Sequence, residues 1–533
     1  MIVFMNGNKT TERTVTVNGH KYRQKVWYEW DKERKRSITH VVDHIGAVSP
    51  IKPRRMKAPE IERIETVVPS GHLALFHSVA IRFGLRECLD MMCPSDGGIV
   101  ASSVMALVFN QLNGRRPLNR IGEWIDSSPA GRWMNASGLT KDRLLDALDT
   151  IYSRSEIAKR RVPAIQGMLT EKWEEIAGKD EVKYFVYYDV CRIRYNGSRC
   201  EWAEHGYGPD DMGRPHVGIG LVTGRNNHFP LMSMTVKGSL HDSRTLGYIS
   251  THVEGKMTMI LDRAFMHEKV IEKATGSGIN VLGGCMENSK EVRSALTLYP
   301  DHEIERTGQV IPRSGGVIYY RGWKGTLFGK TGTIVVTLDP MRRSEERASR
   351  DLLIREASSV RDEKRLSELR EDLGKIARTS RGRRGWKIDM GIEKGERLSD
   401  GRFLLFTTDP DLTPEEIVEA YFQRDEVEKA FRKMKGSNGL GPIRYRLWNR
   451  VDAYLTVVNH MAYLIRAAIR WELRSMNRPE SVDEAIDILK GIYEISMAQN
   501  GNTLRQWGPV TKKNRKLIED LGLKDLIISY YSD

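Results

Sequence analysis

Between residues 183 and 285 the apolar positions fall in short runs that end on acids or glycines, with helical stretches between them. "KYFVYYDV" is a β-rich run ending in Asp189. "PHVGIGLVTG" and "HFPLMSMTVKG" read as two more strands, joined by a polar turn at Arg225, Asn226 and Asn227. "SRTLGYISTHV" has helical spacing, "KMTMILD" is a strand ending in Asp262, "HEKVIEKATGSG" is a helix closed by glycine, and "INVLGGC" is a further strand. The order is βββαβαβ, an α/β pattern with acids at the ends of its first and fourth strands. Such strand ends are where side chains leave the core and ligands sit.

The flanking segments have other textures. The first 50 residues read as strands, with a hairpin around Asn18-Gly19 and a further strand in "SITHVVDHIG". From about 70 to 178 apolar residues recur at three and four, as in "GHLALFHSVAIRFGLRECLDMM" and "TKDRLLDALDTIYSR", so this tract is helical. Residues 301 to 400 interrupt the α/β pattern. They hold two or three strands in "GGVIYYRGWKGTLFGKTGTIVVTLDP", a charged helical region over 341–377 with a heptad-like seam of Leu366, Leu369, Leu373 and Ile376, and a basic, exposed, flexible loop over 378–387. "GRFLLFTTDP" supplies another strand, and helices follow over 448–475 and 481–498.

One helix breaks the usual rule that apolar residues keep helical time. In "YFQRDEVEKAFRKMKG" the polar residues Tyr421, Arg424, Glu428 and Lys435 lie at intervals of three, four and seven. At about 100° per residue they fall within roughly 60° of one another and form one narrow stripe. Thr413 and Glu416 make a capping box around Pro414, and Gly436 stands where a helix of some 22 residues (about six turns) would stop. Charged helix faces are commonly solvated faces held by i,i+4 pairs, so the stripe alone leaves its purpose open.

Charge narrows the partners. The 533 residues carry 84 Lys and Arg against 70 Asp and Glu, a formal net charge of +14 and a pI near 9.4. This favours a polyanion, with nucleic acid foremost. Basic clusters recur in "KPRRMK", "KRR" and "RTSRGRRGWK", and Arg115, Arg116, Arg120, Lys159, Arg160 and Arg161 edge the helical tract. Cys88, Cys93, Cys191, Cys200 and Cys285 have neither CxxC nor zinc spacing, which suits reduced cytosolic thiols. No apolar run has the length of a membrane span, and "AYLTVVNHMAYLIRAAIRW" reads as a buried helix because Asn459, His460, Arg466 and Arg470 interrupt it. A soluble intracellular protein without membrane contact is expected.

Asp189, Asp262 and Glu428 share a logic. Carboxylates converging on one spot hold Mg²⁺ or Mn²⁺ beside a phosphate, and a pair of such ions serves phosphodiester chemistry. Either Asp alone would more simply be a turn or cap residue.

Here the chain resembles the DDE transposases of prokaryotic insertion sequences. Tyr421-x2-Arg424-x3-Glu428-x6-Lys435 has the spacing of their YREK signature, and βββαβαβ is the order of their ribonuclease-H-like catalytic core. The contexts "YYDVCRIRY", "KGSLHDSRTL" and "ILDRAFMHEKVIEKA" are similar too. The resemblance covers about 180–290 and 400–470. It implies a ribonuclease-H-like mixed sheet with a β-rich and helical insertion, behind a small β unit and a helical domain. It also implies Asp189, Asp262 and Glu428 as ligands of two Mg²⁺ or Mn²⁺ ions, with Tyr421, Arg424 and Lys435 on DNA phosphates near the cleaved end. Gly238 and Asp242 match a Gly-rich, Asp-containing segment, although Asp242 could equally cap a helix. His241 and Arg263 only adjoin the acids. Neither Trp323 nor Trp386 aligns with the aromatic that stacks a flipped base in some relatives.

The division that follows is an N-terminal β-rich unit (1–67), a helical, DNA-binding domain (68–178), a catalytic core in two parts (179–300 and 401–475), an insertion (301–400) and a C-terminal helical region (476–533). The function implied is cut-and-paste transposition: cleavage of the element's ends and joining of the 3′-hydroxyls to target double-stranded DNA. A homodimer would hold the two ends, in the cytoplasm with the nucleoid. The alternatives are a structure-selective nuclease of the same fold and a non-catalytic DNA-binding repressor or architectural protein. RNA binding ranks last, since no RRM or KH signature is present.

Overall fold

A computed structural model describes residues 10–17, 20–48, 62–152, 156–178, 185–205, 213–224, 228–240, 257–313, 316–379, 386–424, 441–499 and 502–528. Two compact units emerge, one of Met1–Glu65 with Ser496–Leu504 and one of Thr66–Ile495 with Arg505–Asp533. In the first, strands β1 (Thr11–Val17), β2 (His20–Asp31) and β3 (Arg36–Ala47) form an antiparallel sheet in that order. Val17 pairs with His20, and the turn expected at Asn18-Gly19 lies outside the described residues. A further strand, β4 (Arg63–Pro69), precedes the helices.

The helical tract runs from Gly71–Arg82 to Glu156–Ala177. Its central helix, Ile99–Leu112, is buried almost all round, as a helix apolar on every side must be. Arg115 and Arg116, at the edge of this tract, make intramolecular contacts. Arg115 donates to the Pro442 carbonyl at 2.8 Å and lies over the Tyr454 ring, and Arg116 lies over Trp124.

The second unit is organised by a nine-stranded sheet. Its strands are β5 (Phe185–Arg194), β6 (His216–Gly224), β7 (Pro230–Lys237), β8 (Met257–Leu261), β9 (Ile279–Gly284), β10 (Val310–Arg313), β11 (Gly316–Leu327), β12 (Lys330–Leu338) and, beyond a small β13–β14 pair (Ala377–Thr379 and Trp386–Ile388), β15 (Arg402–Thr407). The order across the sheet is β10-β11-β12-β15-β9-β8-β5-β6-β7. β5, β6 and β7 are antiparallel neighbours, and β5, β8 and β9 run parallel. The strands follow the order read from the apolar runs, in the ribonuclease-H-like arrangement that the resemblance to DDE transposases implies. The helix expected over "SRTLGYISTHV" and the turn at 225–227 lie outside the described residues.

Strand alternation divides the core in two. Tyr187, Cys191, Ile219, Leu221, Ile260, Leu282 and Leu405 join the core shared with the N-terminal helices and with Pro414–Phe422. Val186, Tyr188, Met259, Leu261, Val281, Leu404 and Phe406 face a second core with the helix Glu268–Gly276. The sheet is covered on both faces, as a sheet with parallel centre strands requires.

The structure adds three things to the sequence reading. The strands expected within 301–400 extend the core sheet, since β12 pairs with β15 from Thr333↔Thr407 to Leu338↔Arg402. The region 341–377 forms the helices Pro340–Ser359 and Glu363–Leu373, with Leu369, Leu373 and Ile376 of the seam buried; of the loop expected over 378–387, Arg378 and Thr379 belong to β13 and Trp386 and Lys387 to β14, with 380–385 outside the described residues. The helix expected over 481–498 stops at Lys490 and the chain becomes strand β16 (Tyr493–Gln499), followed by β17 (Asn502–Gly508). Gly491 closes the helix, and Tyr493 and Ile495 alternate with the more deeply buried Glu494 and Ser496, a strand period. Helix 448–475 is buried as expected, with a π-turn at Tyr454–Val458.

Candidate active site

β5 and β8 are paired in parallel as Phe185↔Thr258, Val186↔Met259 and Tyr187↔Ile260. The ladder ends there, two residues before Asp189 on one strand and two before Asp262 on the other. Tyr187 and Ile260 share the face against which Pro414–Phe422 packs. Asp189 is described only in its backbone. Asp262 follows β8 in extended conformation and starts a turn over Arg263–Phe265. One of its carboxylate oxygens accepts from the Arg263 N–H at 2.5 Å and from Arg424 Nη1 at 2.9 Å.

The helix Pro414–Phe422 begins with the anticipated capping box. The Glu416 N–H donates to Thr413 Oγ1 at 3.3 Å, and the Thr413 N–H donates to Glu416 Oε2 at 2.9 Å. Tyr187, two residues before Asp189, donates its hydroxyl to the Ala420 carbonyl at 3.0 Å, which fastens the end of this helix to the strand of the first acid. The expected single helix to Gly436 is interrupted: it ends at Phe422 with a turn at Gln423, and the chain is helical again at Arg424. Tyr421 and Arg424 keep their i,i+3 alignment. Glu428 and Lys435, with His241 and Asp242, lie outside the described residues.

Tyr421 is buried, 8% exposed, and its ring lies 5.3 Å from Phe403 of β15. Burial pushes its phenol up to about 12, against the opposing pull of Arg424, to which it is hydrogen-bonded. It is therefore neutral, and it buttresses Arg424 from beneath. Gly284 makes room for this, since a Cβ there would stand 2.4 Å from Phe403 Cζ and 2.6 Å from Tyr421 Oη. Gly238, matched in sequence to a Gly-rich segment, is another close approach: a Cβ would meet the His216 carbonyl oxygen at 1.9 Å. Arg192 of β5 holds this segment by donating to the Gly238 and Leu240 carbonyls. Trp323 belongs to β11 and packs against Tyr299; the side chain of Trp386 is not among those described.

Sequence reasoning missed the cleft beside Asp262. It encloses about 340 Å³, and its lining includes Arg263, Arg313, Arg342 and Arg424 with Asp262 and Asp339. Arg263 lies over the Phe403 ring at 5.2 Å and Arg313 over Phe422 at 4.8 Å. These residues come from four separate segments, so no local motif could reveal them.

The donor chemistry suits a hard divalent cation. Asp262 offers a carboxylate on a side chain 40% exposed. Among the described residues no three His, Cys, Asp or Glu side chains are grouped to hold a metal.

Comparison with known proteins gives the family. The sequence model described as "Transposase DDE domain" matches residues 183–465, more than half of the chain. The chain belongs to this DDE transposase family. No curated protein matches it in sequence. Among solved structures, a cryo-EM structure of a piggyBac transposase synaptic complex with hairpin DNA is similar over 80% of this chain and 79% of its own, at 10% identity and a TM-score of 0.35. No described helix is long and apolar enough to cross a membrane.

Proposed function

We propose that this chain is a cut-and-paste transposase of a prokaryotic insertion sequence, and that Asp189, Asp262 and Glu428 are its catalytic carboxylates. What supports the reading is the parallel pairing of β5, which carries Asp189, with β8, which leads into Asp262, together with the Arg424 guanidinium on the Asp262 carboxylate. The three acids would hold two Mg²⁺ or Mn²⁺ ions, which when bound activate a water or hydroxyl and stabilise the leaving oxygen of an in-line displacement. Arg424, orientated by the neutral Tyr421 beneath it, offers a guanidinium suited to a phosphate near the cleaved end, and Lys435 adds a point charge.

The helical tract 68–178 would bind DNA, the insertion 301–400 would flank the core, and two copies would hold the two ends over nucleoid DNA in the cytoplasm. The test is labelled linear DNA carrying the element's ends, incubated with Mg²⁺ or EDTA beside Asp189→Asn and Glu428→Gln. Metal-dependent, end-specific cleavage lost in both variants is expected. Binding without any cleavage would move the protein to the architectural class.

A further inference from the structure

We infer that the cleft beside Asp262 is a second phosphate subsite, in which Arg263, Arg313 and Arg342 grip the DNA backbone next to the strand that Arg424 meets. This rests on the transposase reading and adds residues that the YREK stripe does not contain. Four guanidiniums line the cleft against two carboxylates, Asp262 and Asp339. The Asp339 carboxylate is already engaged: it caps the helix Pro340–Ser359, accepting from the N–H groups of Met341 at 3.0 Å and Arg342 at 3.1 Å. With Glu346 paired to Arg342, four guanidiniums meet three carboxylates, so the described side chains at the cleft leave one net positive charge, which favours an anionic ligand.

The cations are also held in place. Arg263 and Arg313 pack on Phe403 and Phe422, which fixes each guanidinium at little further entropic cost when an edge meets a phosphate. Arg342 is anchored through Nε to Glu346 at 2.7 Å, while its two Nη groups make no hydrogen bond among the described residues. Asp262 stands at the edge of the same cleft, so a backbone gripped there passes beside the carboxylate assigned to cleavage. A free inorganic phosphate would satisfy one arginine pair, but a 340 Å³ cleft lined from five chain segments suits an extended diester.

The test measures binding and cleavage of duplex DNA carrying the element's ends by the full chain, for the wild type, Arg313→Gln/Arg342→Gln and Asp262→Asn. Thermal unfolding shows that each variant is folded. The double variant should bind at least tenfold more weakly at 150 mM salt (near physiological ionic strength). Its slope of log affinity against log salt should be shallower by about 2, since each phosphate that is no longer neutralised takes roughly 0.9 from the slope. Its KM should rise more than its kcat falls. Inorganic phosphate at millimolar concentration should compete with DNA on the wild type and less on the variant. An unchanged salt slope in a folded double variant would overturn the subsite even if Asp262→Asn abolished cleavage. Conversely, a shallower slope with cleavage intact in Asp262→Asn would keep the subsite and remove the catalytic assignment of Asp262.

Discussion

The Arg424 to Asp262 contact carries a consequence for metal binding. Arg424 is 11% exposed and Asp262 40% exposed, and they meet at 2.9 Å. Hydrogen bonds to charged groups contribute about 1.5–3 kcal/mol when well shielded and exposed ion pairs about 0.2–1 kcal/mol. With one partner buried and the other in reach of water, about 1 kcal/mol is reasonable, so the pair competes with a cation for the same carboxylate by a factor of about five. We predict that Arg424→Ala raises the affinity of the DNA-free protein for Mn²⁺ about fivefold, measured by isothermal titration. Loss of a positive charge alone would also favour the cation, so Arg263→Ala is the control. Arg263 neighbours Asp262 in the chain, and its guanidinium lies over Phe403. Equal affinities for Arg424→Ala and Arg263→Ala would refute the idea that the ion pair occupies the ligand. Engagement of Arg424 by a phosphate would release Asp262, so wild-type affinity should rise when DNA is bound and that of Arg424→Ala should not.

Three further outcomes follow from the packing. Gly284→Ala drives a methyl into Phe403 and Tyr421 and should cost about 1–3 kcal/mol of stability; an unchanged midpoint of thermal unfolding would contradict the close approach. Asp301→Ala should cost about 3 kcal/mol, because the buried Arg402 donates to this carboxylate and to the Leu296 and Tyr299 carbonyls and would be left partly unpaired; denaturant titration within 0.5 kcal/mol (the usual scatter of neutral surface changes) of wild type would count against it. His460 is buried against Ser233 and burial lowers it to about 3 from 6.5, so the folded state binds fewer protons than the unfolded one. Stability is therefore retained above pH 6.5 and lost as pH falls toward 3, by up to about 1.4 kcal/mol per pH unit. His460→Gln should flatten that slope between pH 6 and pH 4, a window inside this interval, and an equally steep slope would show that other groups set it.

What was legible in the chain was what is local. The strands β5 to β9 appear as apolar runs because both faces of the sheet are covered, and Asp262 directly follows β8 as read, whereas Asp189, expected at a strand end, lies inside β5, which runs on to Arg194. The capping box at Thr413 and Glu416 is a four-residue pattern and formed as read. Long-range pairing was not legible. Nothing within β12 announces that it pairs with β15, some 70 residues on, so the strands of 301–400 looked like an interruption. The arginine cleft was hidden for the same reason, as its members Arg263, Arg313, Arg342 and Arg424 meet only through the sheet. The break at Gln423 was missed because its residue type favours no stop. Its φ of −65° and ψ of −15° are a small departure from helical values that propensity does not encode.

The insertion and the site constrain each other through this sheet. A segment placed between β9 and the helix Pro414–Phe422 could have displaced that helix from Asp262. Instead its strands add to the sheet edge beyond β15, and β15 returns to pair with β9 at Leu405↔Gly284 and Thr407↔Leu282. The helix Pro414–Phe422 leaves from the end of β15 and is met by Tyr187 of β5 and Phe403 of β15 together. Arg424 is thus located by two strands that lie three places apart in the sheet, and Asp262 by β8, which lies between them beside β9. A change confined to the helices Pro340–Ser359 and Glu363–Leu373 leaves those strand contacts intact, whereas a change at Gly284, Tyr187 or Phe403 moves Arg424 against Asp262 directly.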